Sequence, residues 1–161
     1  MITTHDIYGL GNALVDTEIE VTDADLAELG LEKGLMTLID DAQLQTIEAY
    51  FSGREKKQAC GGSAANSMLA AQLFDTQCFY NCKVANDKLG QFYAQDLTTN
   101  NIATNLSPST LPNGTTGRCL VLITPDAERT MTTFLGITST IGPEDVDETA
   151  IKQSKWVYIE G

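Results

Sequence analysis

The run Cys60-Gly61-Gly62-Ser63-Ala64-Ala65-Asn66 restricts the chain more than any other stretch. Paired glycines weaken the interior of a strand or a helix and suit a tight junction between the two. The residues that follow, SAANSMLAAQLF, are rich in alanine and carry Met68, Leu69 and Leu73 at helical spacing, which predicts a buried helix over 63–74. Glycines entering such a helix let its first backbone N–H groups approach a polar ligand closely, and Asn66 stands one turn in. No Lys or Arg accompanies the junction, so a neutral polyol held by amide and carboxylate groups fits it better than a phosphate. The plain alternative is a structural strand-to-helix turn with Asn66 satisfied locally. The residues by themselves weigh the two equally.

On either side of this junction, strand and helix patterns alternate. Ile7–Gly11 reads as a short buried strand ending in a turn, and Thr17–Val21 (TEIEV) alternates like a half-exposed strand, so two sheets or two faces begin here. Thr22 or Asp23 can cap a short helix closed by Gly30, and Asp40 or Asp41 a helix from Ala42 to about Phe51, with the apolar run Leu35–Ile39 between them. A strand is expected over Thr76–Val84, and a helix capped at Asn86-Asp87 over Lys88–Thr99. Two strands within 115–135 meet at a turn at Pro125-Asp126-Ala127, a helix opens at Pro143, and Trp156–Ile159 is a final strand. The alternation argues for an α/β parallel sheet with flanking helices. The short alternating strands near 17–21, 35–39, 55–60 and 115–135 argue for a small antiparallel sheet inserted in that core and lying over it as a lid.

Charge narrows the partners. With 22 Asp+Glu against 10 Lys+Arg, the formal net charge of −12 opposes binding to nucleic acid or to an anionic membrane surface. No apolar run approaches the roughly 18 residues of a membrane span, and the N-terminus lacks the basic and apolar regions of a secretion signal, so a soluble cytoplasmic protein is expected. Cys60, Cys78, Cys82 and Cys119 lack the paired spacing of a zinc site and read as reduced, mostly buried thiols. His5 is the single histidine, which leaves little for His-based catalysis, and no metal ligands are assigned.

Gly9-Leu10-Gly11-Asn12-Ala13-Leu14 begins like a dinucleotide fingerprint, but Leu14 occupies the third glycine position, which argues against a Rossmann nucleotide site. Taken alone, Gly11 and Asn12 read as a tight turn and Asp16 as a loop carboxylate. However, GGSAANSMLAAQL resembles the first signature of the ribokinase/PfkB family of carbohydrate kinases, in which a glycine pair and an Asn open a helix beneath the sugar. GNALVD resembles that family's N-terminal segment ending in Asp. KVANDKLGQFY resembles its glycine-valine-glycine-aspartate segment, with Ala85 where glycine is usual, and TGRCLVLITPDAERTMTTFLG resembles its lid return strands. These four matches run in order along the chain, and their combination looks closest to adenosine-kinase-like or sugar-kinase-like members.

The resemblance implies a ribokinase-like fold and transfer of the ATP γ-phosphoryl group to a hydroxymethyl group of a sugar or ribonucleoside, with Mg²⁺ as the second cofactor. It implies that Asp16 grips substrate hydroxyls and that Asn12, Gly61, Gly62, Ser63 and Asn66 line the same site. Glu160, at the end of the last strand, takes the place of a carboxylate that touches the sugar in ribokinase-like members, whereas adenosine kinases differ there; the plain alternative is a strand-end carboxylate in solvent. For Arg129 an exposed lid arginine is the commoner case, and a place near the lid hinge is the alternative. The general base belongs to a GxGD motif that no stretch of this sequence contains, so it is expected beyond Gly161, and this chain alone is expected to be inactive. An apolar strand so close to the last residue fits the N-terminal part of a longer kinase. The alternative is a non-catalytic polyol-binding or dimerisation module derived from the fold, and in either case a homodimer through the lid is expected.

Overall fold

The computed structural model describes residues 3–160. Among them, strands β1 (His5–Leu10), β5 (Cys78–Asn81), β6 (Ala103–Thr104) and β9 (Ser154–Ile159) form one sheet, ordered β6-β5-β1-β9 with every pair parallel. Side chains alternate across it. Cys78 and Tyr80 pack with Met68 of helix α3 (Ser63–Leu73) and with Tyr93 and Leu97 of α4 (Lys88–Thr99), while Tyr8 and Phe79 pack on the other side with Ala150 of α5 (Glu148–Lys152). This is an α/β fold with helices on both faces of a parallel sheet. β9 is an edge strand, and its Trp156 and Ile159 are 73% and 70% exposed.

A second sheet contains β2 (Leu14–Glu20), β3 (Met36–Leu38), β4 (Lys57–Gly61), β7 (Gly117–Ile123) and β8 (Arg129–Phe134), in the order β3-β8-β7-β2-β4. One face carries Ile19, Leu120 and Leu122 against Leu26 of α1 (Asp23–Glu28) and Leu44 and Ile47 of α2 (Asp41–Tyr50). The sheet is mixed, which corrects the expectation of an antiparallel one. β2–β4 and the β7–β8 hairpin are antiparallel, whereas β2–β7 and β3–β8 are parallel. Both parallel pairs join strands far apart in sequence, where the chain has room to return in the same direction.

Local chemistry accounts for most element ends. Thr22 and Asp40 each form a reciprocal capping box, with Asp25 and Gln43, and Asp87 caps α4 by accepting from the Gly90 N–H at 2.8 Å. Two sequence readings need correction, and a third is narrowed to one of its alternatives. The strand expected over 76–84 ends at Asn81, because the Asn105 side chain takes over the backbone of Cys82, accepting from its N–H at 3.0 Å and donating to its carbonyl at 2.9 Å. Pro143 opens only a single 3₁₀ turn, Pro143–Asp145, in which Asp145 is turned to the Gly142 N–H and to Lys83. The helix itself starts at Glu148, where Asp147 accepts from the Ala150 N–H. Arg129 lies beside the β7–β8 turn, at the far end of the hairpin from its junction with the core.

Candidate functional site

The carboxyl ends of β1 and β9 and the N-terminus of α3 converge at one edge of the parallel sheet, the place where open α/β sheets bind ligands. After β1 the chain turns through Gly11 and Asn12, and Gly11 is wedged in: a Cβ there would lie 2.8 Å from the Glu160 carbonyl oxygen and would also meet Ala64. Glu160 reaches the edge because its N–H donates to the Leu10 carbonyl at 3.0 Å. The hydroxyls of Ser63 and Tyr158 hold its carboxylate below the usual range, the latter at 2.7 Å.

The two glycines of the junction have different tasks. Gly62 sits at φ +99°, a backbone conformation that disfavours side chains, and a Cβ there would collide with the Asn12 carbonyl oxygen. That carbonyl also accepts from the buried Tyr80 hydroxyl at 3.1 Å. Gly61 ends β4 opposite Leu14, and a Cβ on it would run into the Asp16 carboxylate. So the pair lets α3 start directly against the turn after β1 and beneath the β2 carboxylate. The N–H groups of Ser63, Ala64 and Ala65, in the first turn of α3, have no acceptor within the helix, and the exposed Asn66 stands just behind them.

Asp16 is half-buried on β2. Burial pushes its carboxyl above the ordinary carboxylate range; the Arg129 guanidinium opposes the shift and Glu18 reinforces it. In register across the second sheet lie Asp16, Cys119, Thr133 and Leu38, one residue from each of four adjacent strands. Partners in register share a face, so the carboxylate and Leu38 stand on the same side, three strand spacings or about 14 Å apart. The neighbouring row runs Glu18, Val121, Met131 and Met36. Beside Leu38 and Thr133, a cavity of about 440 Å³ is bounded by Leu135, Gly136 and Ile137.

Asn12, Gly62, Ser63, Asn66 and Glu160 thus gather at the edge of the parallel sheet, and Asp16 and Gly61 at its border with the second sheet. The sequence reading missed Tyr80, Thr138 and the row from Cys119 to Leu38. Their positions depend on pairings between distant strands, for which a single sequence carries no local signal. Among the described residues no three His, Cys, Asp or Glu side chains are grouped to hold a metal ion, and no helix is long and apolar enough to cross a membrane.

A parallel α/β sheet with a polar site at its carboxyl edge, bordered by a mixed second sheet, defines the ribokinase-like class. The chain belongs to the pfkB family of carbohydrate kinases, whose pattern matches residues 36–161. It is 30% identical over 167 residues to adenosine kinase of Saccharomyces cerevisiae, a match covering 98% of this chain and 48% of the yeast protein. Among solved structures, adenosine kinase from Sinorhizobium meliloti superposes with a TM-score of 0.85 at 32% identity, covering 96% of this chain and 46% of that one. A probable sugar kinase from Rhizobium etli superposes at 0.87 with 28% identity, covering 98% and 47%. The chain therefore spans about half the length of each of these three proteins.

Proposed function

We propose that this chain is the substrate-binding half of a pfkB-family kinase that phosphorylates a hydroxymethyl group, and that its substrate is a ribonucleoside. The supporting observation is the sheet face on which the row Asp16–Cys119–Thr133–Leu38 leads from a carboxylate, past a thiol and a hydroxyl, to Leu38, with Met131 and Met36 in the row beside it. A free sugar needs only the polar end. A nucleoside offers hydroxyls to Asp16 and a flat, largely apolar base to Leu38 and Met131. Adenosine kinases among the relatives agree with this choice, while a probable sugar kinase among them keeps the sugar reading as the second one.

In this proposal Asp16 accepts from ribose hydroxyls, Asn12, Asn66 and the first N–H groups of α3 complete the cradle, and Gly61, Gly62 and Ser63 keep its floor low. Glu160 approaches from β9. The second sheet acts as the lid, excluding water and orienting the hydroxymethyl group, the form of assistance that phosphoryl transfer needs most. ATP supplies the phosphoryl group and Mg²⁺ the charge neutralisation in the whole enzyme. In this proposal the ion's ligands and the general base belong to the rest of the protein. A cytoplasmic location fits these cofactors. Pairing of two lids would use the β3 edge, where Leu35, Met36 and Leu38 are exposed, because α1 and α2 already occupy one lid face.

Equilibrium dialysis of the chain against adenosine and against ribose tests the substrate class. Adenosine is expected to bind at least tenfold tighter, on the order of what burying a base against apolar side chains supplies. Equal retention of the two would return the site to the free-sugar reading.

A further inference from the structure

Thr138 lies in the 3₁₀ turn Gly136–Thr140 that follows β8, and only 1% of it is exposed. Its hydroxyl oxygen accepts from the Ala13 N–H at 3.1 Å, and its hydrogen is directed at Asn12 Oδ1, 3.4 Å away. The second contact is long, but it decides the orientation of an amide. A buried hydroxyl hydrogen without an acceptor is costly. Were the Asn12 amide inverted, its NH₂ group would face the hydroxyl and leave that hydrogen unmatched. With Oδ1 toward Thr138, Nδ2 and its two donors are turned away from the hydroxyl.

The backbone of Asn12 is fixed at the same time, by Tyr80 at its carbonyl and by Gly62 packed beneath it. The amide orientation is thus the remaining freedom of this residue, and Thr138 removes it. We infer that Thr138 is a positioning residue: it sets the amide of Asn12 so that the candidate site presents a hydrogen-bond donor at Asn12 next to the acceptor at Asp16. This rests on the proposal that Asn12 and Asp16 face one ligand. The pair then selects a ligand whose neighbouring oxygens donate to one partner and accept from the other, as a vicinal diol does. Thr138 lies four residues beyond the end of β8, so displacement of that strand is expected to loosen Asn12 as well.

The test uses two readouts on the whole chain. The first is ¹⁵N relaxation of the Asn12 side-chain amide without ligand, for the wild type, Thr138→Val and Thr138→Ser. The wild type and Thr138→Ser are expected to hold this amide rigid, and Thr138→Val, which keeps the shape and loses the hydroxyl, to release it. An amide already mobile in the wild type, which needs no variant to fold, overturns the inference. So does an amide equally rigid in Thr138→Val. The second readout is adenosine affinity, expected to fall about tenfold in Thr138→Val and to recover in Thr138→Ser. Undiminished affinity in a Thr138→Val protein whose Asn12 amide has become mobile also counts against the positioning role. Failure of the wild type to bind adenosine would defeat the nucleoside proposal, and the relaxation data would still decide the role of Thr138.

Discussion

The Asp16 carboxylate rests on the backbone of Gly61, so closely that no β-carbon fits between them. The two residues belong to paired antiparallel strands, and Gly61 ends its strand just before the helix that carries Ser63 and Asn66. Gly61→Ala is therefore expected to destabilise the fold by about 1–3 kcal/mol, as overpacking does. Adding Asp16→Ala should recover part of that loss, because the collision partner is gone. A double-mutant cycle in urea measures this coupling, and strictly additive effects would separate the two residues.

Asp16 carries its charge at a cost. Its carboxyl is raised by burial, so the folded protein binds this proton more readily than the unfolded chain. Its charge therefore opposes folding above the folded pKa, and that opposition is relieved as pH falls through it. Asp16→Asn should leave the thermal stability of the free protein unchanged or higher near neutrality. A clear drop in melting temperature would assign the carboxylate a structural role.

The same shift predicts how binding responds to pH. A ligand hydroxyl held by ionised Asp16 should be lost, as pH falls, earlier than for an ordinary aspartate. Glu18→Gln should move the midpoint down and Arg129→Gln should move it up, since Glu18 raises the Asp16 pKa and Arg129 lowers it. Titrations of adenosine at a series of pH values check both directions. A midpoint indifferent to the two substitutions would remove Asp16 from the titration.

Asp87 joins the second sheet to the core. Its carboxylate accepts from the Gly90 N–H at 2.8 Å, the Thr116 N–H at 2.8 Å and the Thr116 hydroxyl at 2.7 Å, just before β7 starts. Burial pushes its pKa up, yet the hydrogen bonds from Thr116 and Gly90 outweigh it and leave the group below the usual range. Its contribution is thus present above the unfolded pKa and is lost as pH falls through the folded one. Asp87→Asn is expected to cost about 1–2 kcal/mol at neutral pH and to flatten the acid limb of the stability curve. Denaturant midpoints from about pH 5 down to about pH 2, a window spanning the ordinary aspartate pKa and the range below it, give the comparison.

Much of the fold was legible because short-range chemistry carries it. The pairs Thr22/Asp23, Asp40/Asp41 and Asn86/Asp87 announced three helices, which Thr22, Asp40 and Asp87 cap, and the turn at Pro125-Asp126-Ala127 forms with Ala127 in the left-handed region and Asp126 accepting from the Thr124 hydroxyl. The glycine pair marked the edge where Asn12, Ser63, Asn66 and Glu160 gather. What stayed hidden depends on distant segments. The parallel β2–β7 and β3–β8 pairings bring Leu38 onto the face of Asp16, and nothing local in either strand encodes its partner. Likewise Asn105 ends β5 from 23 residues away, and Thr138 reaches Asn12 across 126.

Calorimetric titration of adenosine into the wild-type chain and into Asp16→Asn, at matched pH and salt, joins the site, the ligand class and the role of the carboxylate in one experiment. Saturable binding to the wild type, weakened by about 1–3 kcal/mol in Asp16→Asn, is the expected result. Equal affinity of the two proteins for adenosine would contradict the assignment of Asp16 to the substrate site.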